Sequence, residues 1–316
     1  MEIAKLKDKL KLNKEVAPYV FIAPFFILFF IFHLFPIAFS LVLSFSSWDG
    51  IGQMNFVGLD NFAYVLTDAW FWDSVRNTVV IFIMTTIPQH VIGLAGAFVL
   101  NSDAVRFRDF FRSSYFLPYI TSAAAIAVIF EALLAHRSGL LNYILQFLET
   151  IPPIGVLFEA LKIDLPINWL SKARTIWASV AGLVTWRFTG FNLLVYYAGI
   201  QNIPKQLYEA AKIDGASKMQ IFTKITFPLL KPVVFFAMTM SVIGNLQLFQ
   251  EPFILLGANG GTGRYGMTTA MYLYRTGFHW RQFGEGSAIA YILCAAIIIL
   301  TIVNKKLFGG GGARDL

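Results

Sequence analysis

Polar side chains that could bind a ligand lie inside two long apolar runs of this 316-residue sequence. Hydroxyl and amide groups recur on one face of the first run, at about 100° per residue: Thr185, Thr189, Asn192 and Tyr196. The second run carries polar residues on one side of a helix, the glutamine stripe: Gln247, Gln250 and Glu251. Fixed donors and acceptors beside an aromatic ring can orient a small polar ligand. The two stripes therefore predict a substrate site, with hydrogen bonding between helices as the alternative.

Two further polar residues of these runs lie outside the stripes. Arg187 is near the middle of the first run, where an ionisable side chain costs about 2.5–3.5 kcal/mol on insertion scales. It either contacts substrate or makes a structural ion pair or carbonyl contact, and the sequence leaves both open. Asn245 points away from the glutamine stripe, so we expect it to contact either substrate or another subunit.

The sequence lacks the residue patterns of an enzyme. The glycine-rich segment 257–264 lacks the Gly-Lys-Ser/Thr ending of a phosphate-binding loop, and residues 309–312 contain no lysine. The four histidines lack metal-ligand spacing, and the single cysteine, Cys294, excludes an intrachain disulfide. We expect Cys294 to be a small packed core residue. We expect no catalytic residue, metal or cofactor in this chain, so any ATP chemistry must come from another polypeptide.

The composition is that of an integral membrane protein. Hydrophobic residues make up 57% of the chain and charged residues 14%, whereas soluble domains have about 45–50% and about 25%. So little charge cannot cover a water-facing surface, which excludes a soluble enzyme, a nucleic-acid-binding protein and a disordered chain. The net charge of +7 is explained by basic cytoplasmic loops.

Six apolar runs are long enough to cross about 30 Å of hydrocarbon, which takes about 20 helical residues. They are 19–47, 75–100, 115–135, 175–200, 233–258 and 287–304. The first follows a lysine-rich stretch, but it is too long for a signal peptide and has no cleavage site, so we expect a retained helix. We expect the segment 136–174 to lie outside the membrane, with short helices over 140–148 and 156–161.

The basic residues predict the orientation. Sixteen of them lie in the two terminal tails, residues 101–114 and residues 201–232, whereas the other three loops hold seven. By the positive-inside rule both termini face the cytoplasm. The expected organisation is a cytoplasmic segment 1–18, one transmembrane domain 19–308 with a cytoplasmic loop 201–232, and a flexible cytoplasmic tail 309–316.

The cytoplasmic loop 201–232 carries the most specific pattern in the chain. Its first part is predicted to be a short helix from Pro204 that ends at Gly215, a residue suited to the left-handed conformation. Its two alanines leave a face that another protein can approach, and five lysines around that face suit an acidic partner. The spacing Glu-Ala-Ala, three residues, Gly, nine residues, Ile-x-apolar-Pro falls on Glu209, Ala210, Ala211, Gly215, Ile225, Phe227 and Pro228. This pattern resembles the signature loop of permease subunits of binding-protein-dependent ABC importers, which usually have leucine in place of Phe227.

Shorter matches extend the resemblance over most of the chain. They are residues 56–62, Asn77-Thr78, Phe116-Leu117-Pro118, residues 139–142, Gly190-Phe191-Asn192 and residues 201–204. In these segments the chain is similar to the maltose-permease-like first subunit of carbohydrate importers. The segment Thr262-Gly263-Arg264 departs from the Gly-Pro turn of many relatives.

The resemblance implies an all-α integral membrane protein with the six-transmembrane-helix fold of type I ABC importer permeases, in the bacterial cytoplasmic (inner) membrane. It implies a second homologous permease, two ATPase subunits that use ATP and Mg, and an extracytoplasmic solute-binding protein that delivers a sugar or oligosaccharide. Membrane lipid is a further partner and nucleic acid is not. The residues implied to couple to the ATPase are Glu209, Ala210, Ala211, Asp214 and Gly215. The polar stripes would hold the sugar, and Arg187 would suit an acidic one.

An ion-gradient-driven secondary transporter or channel is the alternative function. It would explain six spans and buried polar residues, but it gives no reason for the signature loop, and inverted internal repeats are not evident. A membrane-embedded enzyme is weaker still, because no catalytic constellation is present. The sequence does not identify the sugar or its charge.

Overall fold

The computed structural model describes residues 16–102 and 105–309, which are helical apart from one short hairpin and the connecting turns. The predicted cytoplasmic segment falls mainly on residues 1–15 and the predicted flexible tail on residues 310–316, so both lie outside the described residues. In chain order the elements are α1 (Ala17–Ser44), β1 (Ser46–Ser47), β2 (Asn55–Phe56), α2 (Asp60–Thr67), α3 (Ala69–Leu100), α4 (Arg108–Ile120), α5 (Ala123–Leu133), α6 (Leu140–Glu149), α7 (Pro152–Ala160), α8 (Ala173–Gln201), α9 (Lys205–Ile213), α10 (Phe227–Leu246), α11 (Gln250–Leu256), α12 (Thr269–Tyr274) and α13 (Phe283–Phe308).

Four helical segments are long and apolar enough to cross a membrane. They are α1, α3, the segment Lys218–Leu256 that contains α10 and α11, and α13. Two helix pairs reach that length only if each pair is one bent span: α4 with α5, at 95°, and α6 with α7, at 106°. Length and composition therefore allow four to six spans. The helices predicted over 140–148 and 156–161 are present as α6 and α7.

The predicted span 175–200 is a single helix, α8, but it is less apolar than those four segments. Its 29 residues extend about 44 Å at about 1.5 Å per residue, more than the hydrocarbon thickness of about 30 Å. Thirteen of them are buried by other parts of the chain. The polar residues of α8 can therefore face protein rather than lipid, which explains how so long a helix remains only moderately apolar.

Glycines allow α8 to lie close to α3 and α4. A Cβ added to Gly93 of α3 would lie 3.1 Å from Cβ of Asn192 on α8. A Cβ added to Gly190 of α8 would lie 1.7 Å from the carbonyl oxygen of Tyr115 on α4. Only glycine fits at position 190, so the distance between α4 and α8 is set by backbone contact.

The first helix, α1, is nearly uncovered by the rest of the chain. The most apolar 18-residue stretch of α1 has a mean hydropathy of 2.5, yet only 6% of its residues are buried. Its carboxyl-terminal half contacts α13, where the Tyr291 hydroxyl donates to the Ile37 carbonyl at 2.7 Å. An apolar surface of this extent requires lipid or another subunit as its cover.

The structure corrects one sequence prediction on α13. Cys294 is exposed, so its predicted role as a packed core residue is wrong. The run around it is apolar on every side, and such a run does not distinguish the face that packs on the protein from the face that meets lipid.

Candidate functional site

The span that carries the glutamine stripe is broken. The helix α10 ends at Leu246 and α11 begins at Gln250, so the prediction of one continuous helical stripe is wrong. Pro252 is in the first turn of α11, where an N–H would have no partner inside the helix, so proline is tolerated there. The Leu248 carbonyl lies in the break and accepts a hydrogen bond from the Thr268 hydroxyl at 2.6 Å. The proline was the available signal for this break.

Glu251 turns inward at the break and forms an ion pair with Arg187. Nη1 of Arg187 donates to Oε1 of Glu251, and the two side chains are 14% and 6% exposed. The Arg187 guanidinium also lies 5.1 Å from the ring centroid of Phe188. Of the alternatives left open for Arg187, the structural ion pair is the contact that is present. The pair connects the middle of α8 to the start of α11.

The two glutamines of the stripe have a different environment from Glu251. Gln247 and Gln250 are exposed, and among the described residues neither side chain has a hydrogen-bond partner. Gln247 lines a groove of about 440 Å³ together with Phe249 and Tyr274. These side chains can therefore interact with a molecule outside this chain.

Tyr196 and Asn245 take part in hydrogen bonds inside the helix bundle. The Tyr196 hydroxyl bonds to Nδ1 of His90 on α3, and Nε2 of His90 bonds to the Ser241 hydroxyl on α10 at 3.0 Å. Asn245 donates to the Thr86 hydroxyl at 2.9 Å and is buried within this chain. Its side chain therefore lacks the exposed position that the expected contact with another subunit needs. Both residues hold α3 against α8 and α10.

Asn192 is also buried, against Gly93 of α3, but its Oδ1 atom has no hydrogen-bond partner among the described residues. Thr185 and Thr189 lie earlier on the same face of α8, where they line a cavity of about 650 Å³. The predicted polar face of α8 is therefore half-buried at Thr185 and buried at Thr189, Asn192 and Tyr196.

The signature loop contains α9, and its turn has the predicted geometry. Gly215 has φ +74°, and a Cβ added there would meet no atom within 4 Å, so the requirement for glycine is conformational. The amide of Ala216 donates to the Ala211 carbonyl at 2.9 Å, which closes the end of the helix. Ser217 and Gln220 then form a capping box that starts the next helical segment.

Most of the predicted coupling residues are exposed on α9 and its turn. Glu209, Ala210 and Asp214 face outward, whereas Ala211 is only 9% exposed and packs against the rest of the chain. The apolar side chains beside them were not predicted: Leu207, Ile213 and Met219 are also exposed, and Ile213 is 87% exposed. Their position between charged residues hid them, because the loop as a whole is polar. The outward surface thus combines acidic, small and apolar side chains.

The loop that contains Thr262-Gly263-Arg264 is held firmly against α3. The Arg264 guanidinium lies 3.8 Å from the centroid of a Trp70 ring and pairs with Asp73 at 3.1 Å. Asn77 donates to the carbonyls of Arg264 and Met267 at 2.9 and 3.1 Å. The segment Thr262–Arg264 is a short 3₁₀ turn.

Tyr272 on α12 connects the segment after this loop to the start of α3. Burial, the hydrogen bond to Asp68 and the charge of Asp68 together raise the pKa of the Tyr272 hydroxyl. The phenol therefore stays protonated and donates to Oδ2 of Asp68. Within residues 16–102 and 105–309, no group of three or more His, Cys, Asp or Glu side chains is placed to hold a metal ion.

Comparison with known proteins gives the chain a family. The family model described as "binding-protein-dependent transport system inner membrane component" matches residues 15–304. The arabinooligosaccharides transport system permease protein of Bacillus subtilis (strain 168) is 36% identical, over 94% of this chain and 90% of that protein. The lactose transport system permease protein of Rhizobium radiobacter is 32% identical, over 94% of this chain and 96% of that protein.

A solved structure has the same fold. It is a bacterial ABC transporter involved in the import of the acidic polysaccharide alginate, with a TM-score of 0.75 and 20% identity. The match covers 96% of this chain and 98% of the solved chain. From the match of the family model over 15–304 and the identity to two permeases along nearly their whole length, this chain belongs to the family of binding-protein-dependent transport system inner membrane components.

Proposed function

We propose that this permease forms part of the translocation path for a sugar or oligosaccharide in an ATP-driven importer. The observation that carries the proposal is the signature loop, where α9 ends in the left-handed Gly215 and presents Glu209, Ala210 and Asp214 outward. A loop of this shape suits docking to a separate ATPase, and the sequence lacks the Gly-Lys-Ser/Thr ending of a phosphate-binding loop. An ion-gradient-driven carrier would have no use for such a surface.

The names of the relatives and the exposed polar groups support a sugar as the substrate. The permeases from Bacillus subtilis and Rhizobium radiobacter are named for arabinooligosaccharides and lactose. Gln247 and Gln250 supply amide donors and acceptors, and Phe249 and Tyr274 supply aromatic rings nearby. Sugars are bound by such combinations of fixed polar groups and apolar ring faces. We propose that the buried residues Asn192, Tyr196 and Asn245 hold in position the helices that line this path.

The Arg187–Glu251 pair favours a neutral sugar. Glu251 neutralises the charge that Arg187 would otherwise offer to an acidic substrate. Removing Arg187 from this partner to bind a carboxylate would leave Glu251 buried and unpaired, which is costly in a low-dielectric interior. We therefore assign the pair to the wall of the path rather than to direct recognition of an acidic sugar.

The proposed assembly places six spans in the bacterial inner membrane, with both termini in the cytoplasm. The spans are α1, α3, the bent pair α4–α5, α8, the broken segment α10–α11, and α13, with α6 and α7 on the outer side. A second, homologous permease would complete the path, two ATPase subunits that use ATP and Mg would bind the signature loops, and an extracytoplasmic binding protein would deliver the sugar. The exposed apolar surface of α1 supports contact with lipid and with the second permease.

Transport would proceed by alternating access. ATP binding closes the ATPase dimer, and α9 moves with the ATPase surface on which it docks. The path then opens outward to receive the sugar, and hydrolysis returns it to the inward-open state. In this scheme Gly215 transmits the movement because the turn that it allows connects α9 to the helical segment that leads into α10.

Reconstitution tests the proposed function. The permease, its co-purifying permease and ATPase subunits and the binding protein would be placed in vesicles with internal ATP. We expect ATP-dependent accumulation of at least one labelled neutral sugar from a panel of arabino-, malto- and galacto-oligosaccharides. Uptake driven by a proton or sodium gradient without ATP would contradict the proposal and support the secondary transporter.

A further inference from the structure

A cavity of about 650 Å³ lies between α3, α4 and α8. We name it the two-proline cavity, because Pro88 of α3 and Pro118 of α4 both line it. Its volume is within the range of about 300–1,000 Å³ that is typical of sites for small molecules. Charged side chains are absent from its lining in the described part of the chain, so the cavity suits a neutral ligand.

Each proline removes one hydrogen bond from its helix. The ring nitrogen has no hydrogen to donate to the carbonyl four residues earlier. The carbonyls concerned belong to Met84 and Ser114, and both residues line the two-proline cavity. In the described residues, no side chain donates to either carbonyl.

The break before α11 shows how this chain treats such a carbonyl when it is buried. The Leu248 carbonyl lies just before α11, outside the helical hydrogen bonds, and the Thr268 hydroxyl donates to it. Among the described residues no side chain donates to the two carbonyls of the two-proline cavity, so each can accept a hydrogen bond from a bound ligand.

The side chains of the cavity add hydroxyl groups and an aromatic face. Tyr115 and Thr185 make no hydrogen bond through their hydroxyls to any other described residue. The Thr189 hydroxyl donates to the Thr185 carbonyl at 2.6 Å and keeps its acceptor capacity. Trp186 lines the cavity and is exposed, so one face of its ring is available for stacking.

These polar groups argue against lipid as the occupant. Hydrocarbon cannot form hydrogen bonds with carbonyls and hydroxyls, and membrane proteins keep such groups in contact with protein or with a water-filled path. A sugar offers several hydroxyl donors and an apolar ring face, which match the Met84 and Ser114 carbonyls and the Trp186 ring.

We propose that the two-proline cavity is a binding subsite for one ring of a neutral sugar, with the Met84 and Ser114 carbonyls accepting its hydroxyls and Trp186 stacking on its ring. This inference rests on the proposed function and adds a location to it. An oligosaccharide has several rings, so this subsite and the groups around Gln247 can serve different rings of one substrate.

Cysteine protection tests the location directly. Gly182 lines the cavity and a Cβ there would meet no atom within 4 Å, so Gly182→Cys should fold in a Cys294→Ala background. The variant is assembled into the complete transporter in nanodiscs, and its reaction with a small maleimide is timed with and without an oligosaccharide that this transporter imports. We expect the transported sugar to slow labelling in proportion to its occupancy, and a sugar that is not imported to have no effect.

Two further positions keep this experiment decisive. Ser114→Cys reports from the α4 side of the cavity and should give the same protection. Ile299→Cys on α13 is exposed and lies outside the lining, so it should be unprotected. Absence of protection at both cavity positions, in a preparation that imports the sugar, would overturn the subsite and leave the proposed function standing. A complex that imports no sugar of the panel would contradict both.

Kinetics give an independent test. Thr185→Val keeps the shape of the side chain and removes one neutral hydrogen-bonding group, so KM for the transported sugar should rise about three- to tenfold with little change in maximal rate. The matched control is Thr85→Val on α3, whose hydroxyl donates to the Ile81 carbonyl inside the protein. If the cavity were an interface with the second permease, Thr185→Val would reduce complex yield and leave KM unchanged.

Discussion

Arg187 and Glu251 are buried opposite charges whose stability depends on each other. Breaking a buried pair by removing one partner costs about 3–5 kcal/mol, whereas replacing both partners is often neutral. Within the described part of the chain the Nε atom of Arg187 has no hydrogen-bond partner, which adds to the cost when the carboxylate is lost. The pair therefore behaves as one unit in mutagenesis.

We accordingly expect Arg187→Gln and Glu251→Gln each to lower the thermal stability of the purified complex strongly, and the double variant to recover most of the loss. A double-mutant cycle on the unfolding temperature measures the coupling. Additive losses in the double variant would mean that the two charges act separately and that the pair does not hold α8 to α11.

Gln250 and Glu251 are adjacent in sequence and differ in burial, which makes them a matched pair. Gln250 is exposed and has no partner within the described residues, so Gln250→Ala should leave stability unchanged. Loss of one neutral contact to substrate should raise KM for the sugar about three- to tenfold. Glu251→Ala should instead reduce stability first. Unchanged KM in Gln250→Ala, measured in vesicles, would remove Gln250 from the substrate path.

At the scale of elements, the turn after α9 decides how the signature loop is presented. Gly215 has φ +74°, and an L-residue there costs about 1 kcal/mol or more. We expect Gly215→Val to leave the permease inserted and paired, while ATPase subunits dissociate more readily and uptake falls. Pull-down of the ATPase with the tagged permease measures this.

Gly52 supplies the control for this variant. It has φ +83° and open space around it, in the loop between β1 and β2, so Gly52→Val carries a similar conformational cost far from α9 in sequence. ATPase retention should be normal in Gly52→Val. Equal loss of ATPase in both variants would show a general folding defect instead of a coupling role.

A second element-scale prediction concerns the break between α10 and α11. Thr268→Val should destabilise the protein by about 1–3 kcal/mol, because the buried Leu248 carbonyl loses its donor. Thr67→Val is the control, since the Thr67 hydroxyl lies at an exposed helix end. Unfolding of the purified proteins by heat compares them. Equal stability of the two variants would show that Thr268 does not support the break.

Local features of these elements could be predicted from sequence, and contacts between distant residues could not. Gly215 was predictable because a helix end followed by glycine has one common geometry. The Arg187–Glu251 pair joins residues 64 positions apart, and the periodicity of either run contains no information about the other. The outward face of Cys294 was hidden for a related reason: in lipid, core-facing and lipid-facing residues are both apolar.

At the scale of the whole molecule, the number of spans depends on α6, α7 and α8. By length and composition alone, the bent pair α6–α7 counts as a possible span and α8 does not. The proposed topology counts α8 as a span and places α6 and α7 outside the membrane. The two arrangements place Tyr143 of α6 differently, inside the membrane or on its outer surface.

Single cysteines in a Cys294→Ala background distinguish these arrangements. We expect impermeant maleimides to label Ile51→Cys and Tyr143→Cys from the same side of the membrane and Ser217→Cys from the other, since all three positions are exposed. Protection of Tyr143→Cys from both sides would put α6 in the bilayer. Labelling of Ser217→Cys and Ile51→Cys from one side would reject the proposed orientation.

The exposure of α1 has a consequence for how the protein is made. Before Phe35 this helix has no buried residue, so its stability comes from the hydrocarbon around it, which accepts a helix with satisfied backbone groups. During synthesis α1 can therefore leave the insertion machinery before the rest of the chain exists. The helices around α8 cannot do so, because their polar groups need one another. We therefore expect membrane insertion in two steps. First α1 enters the bilayer and anchors the chain, and later the remaining helices leave the insertion machinery together.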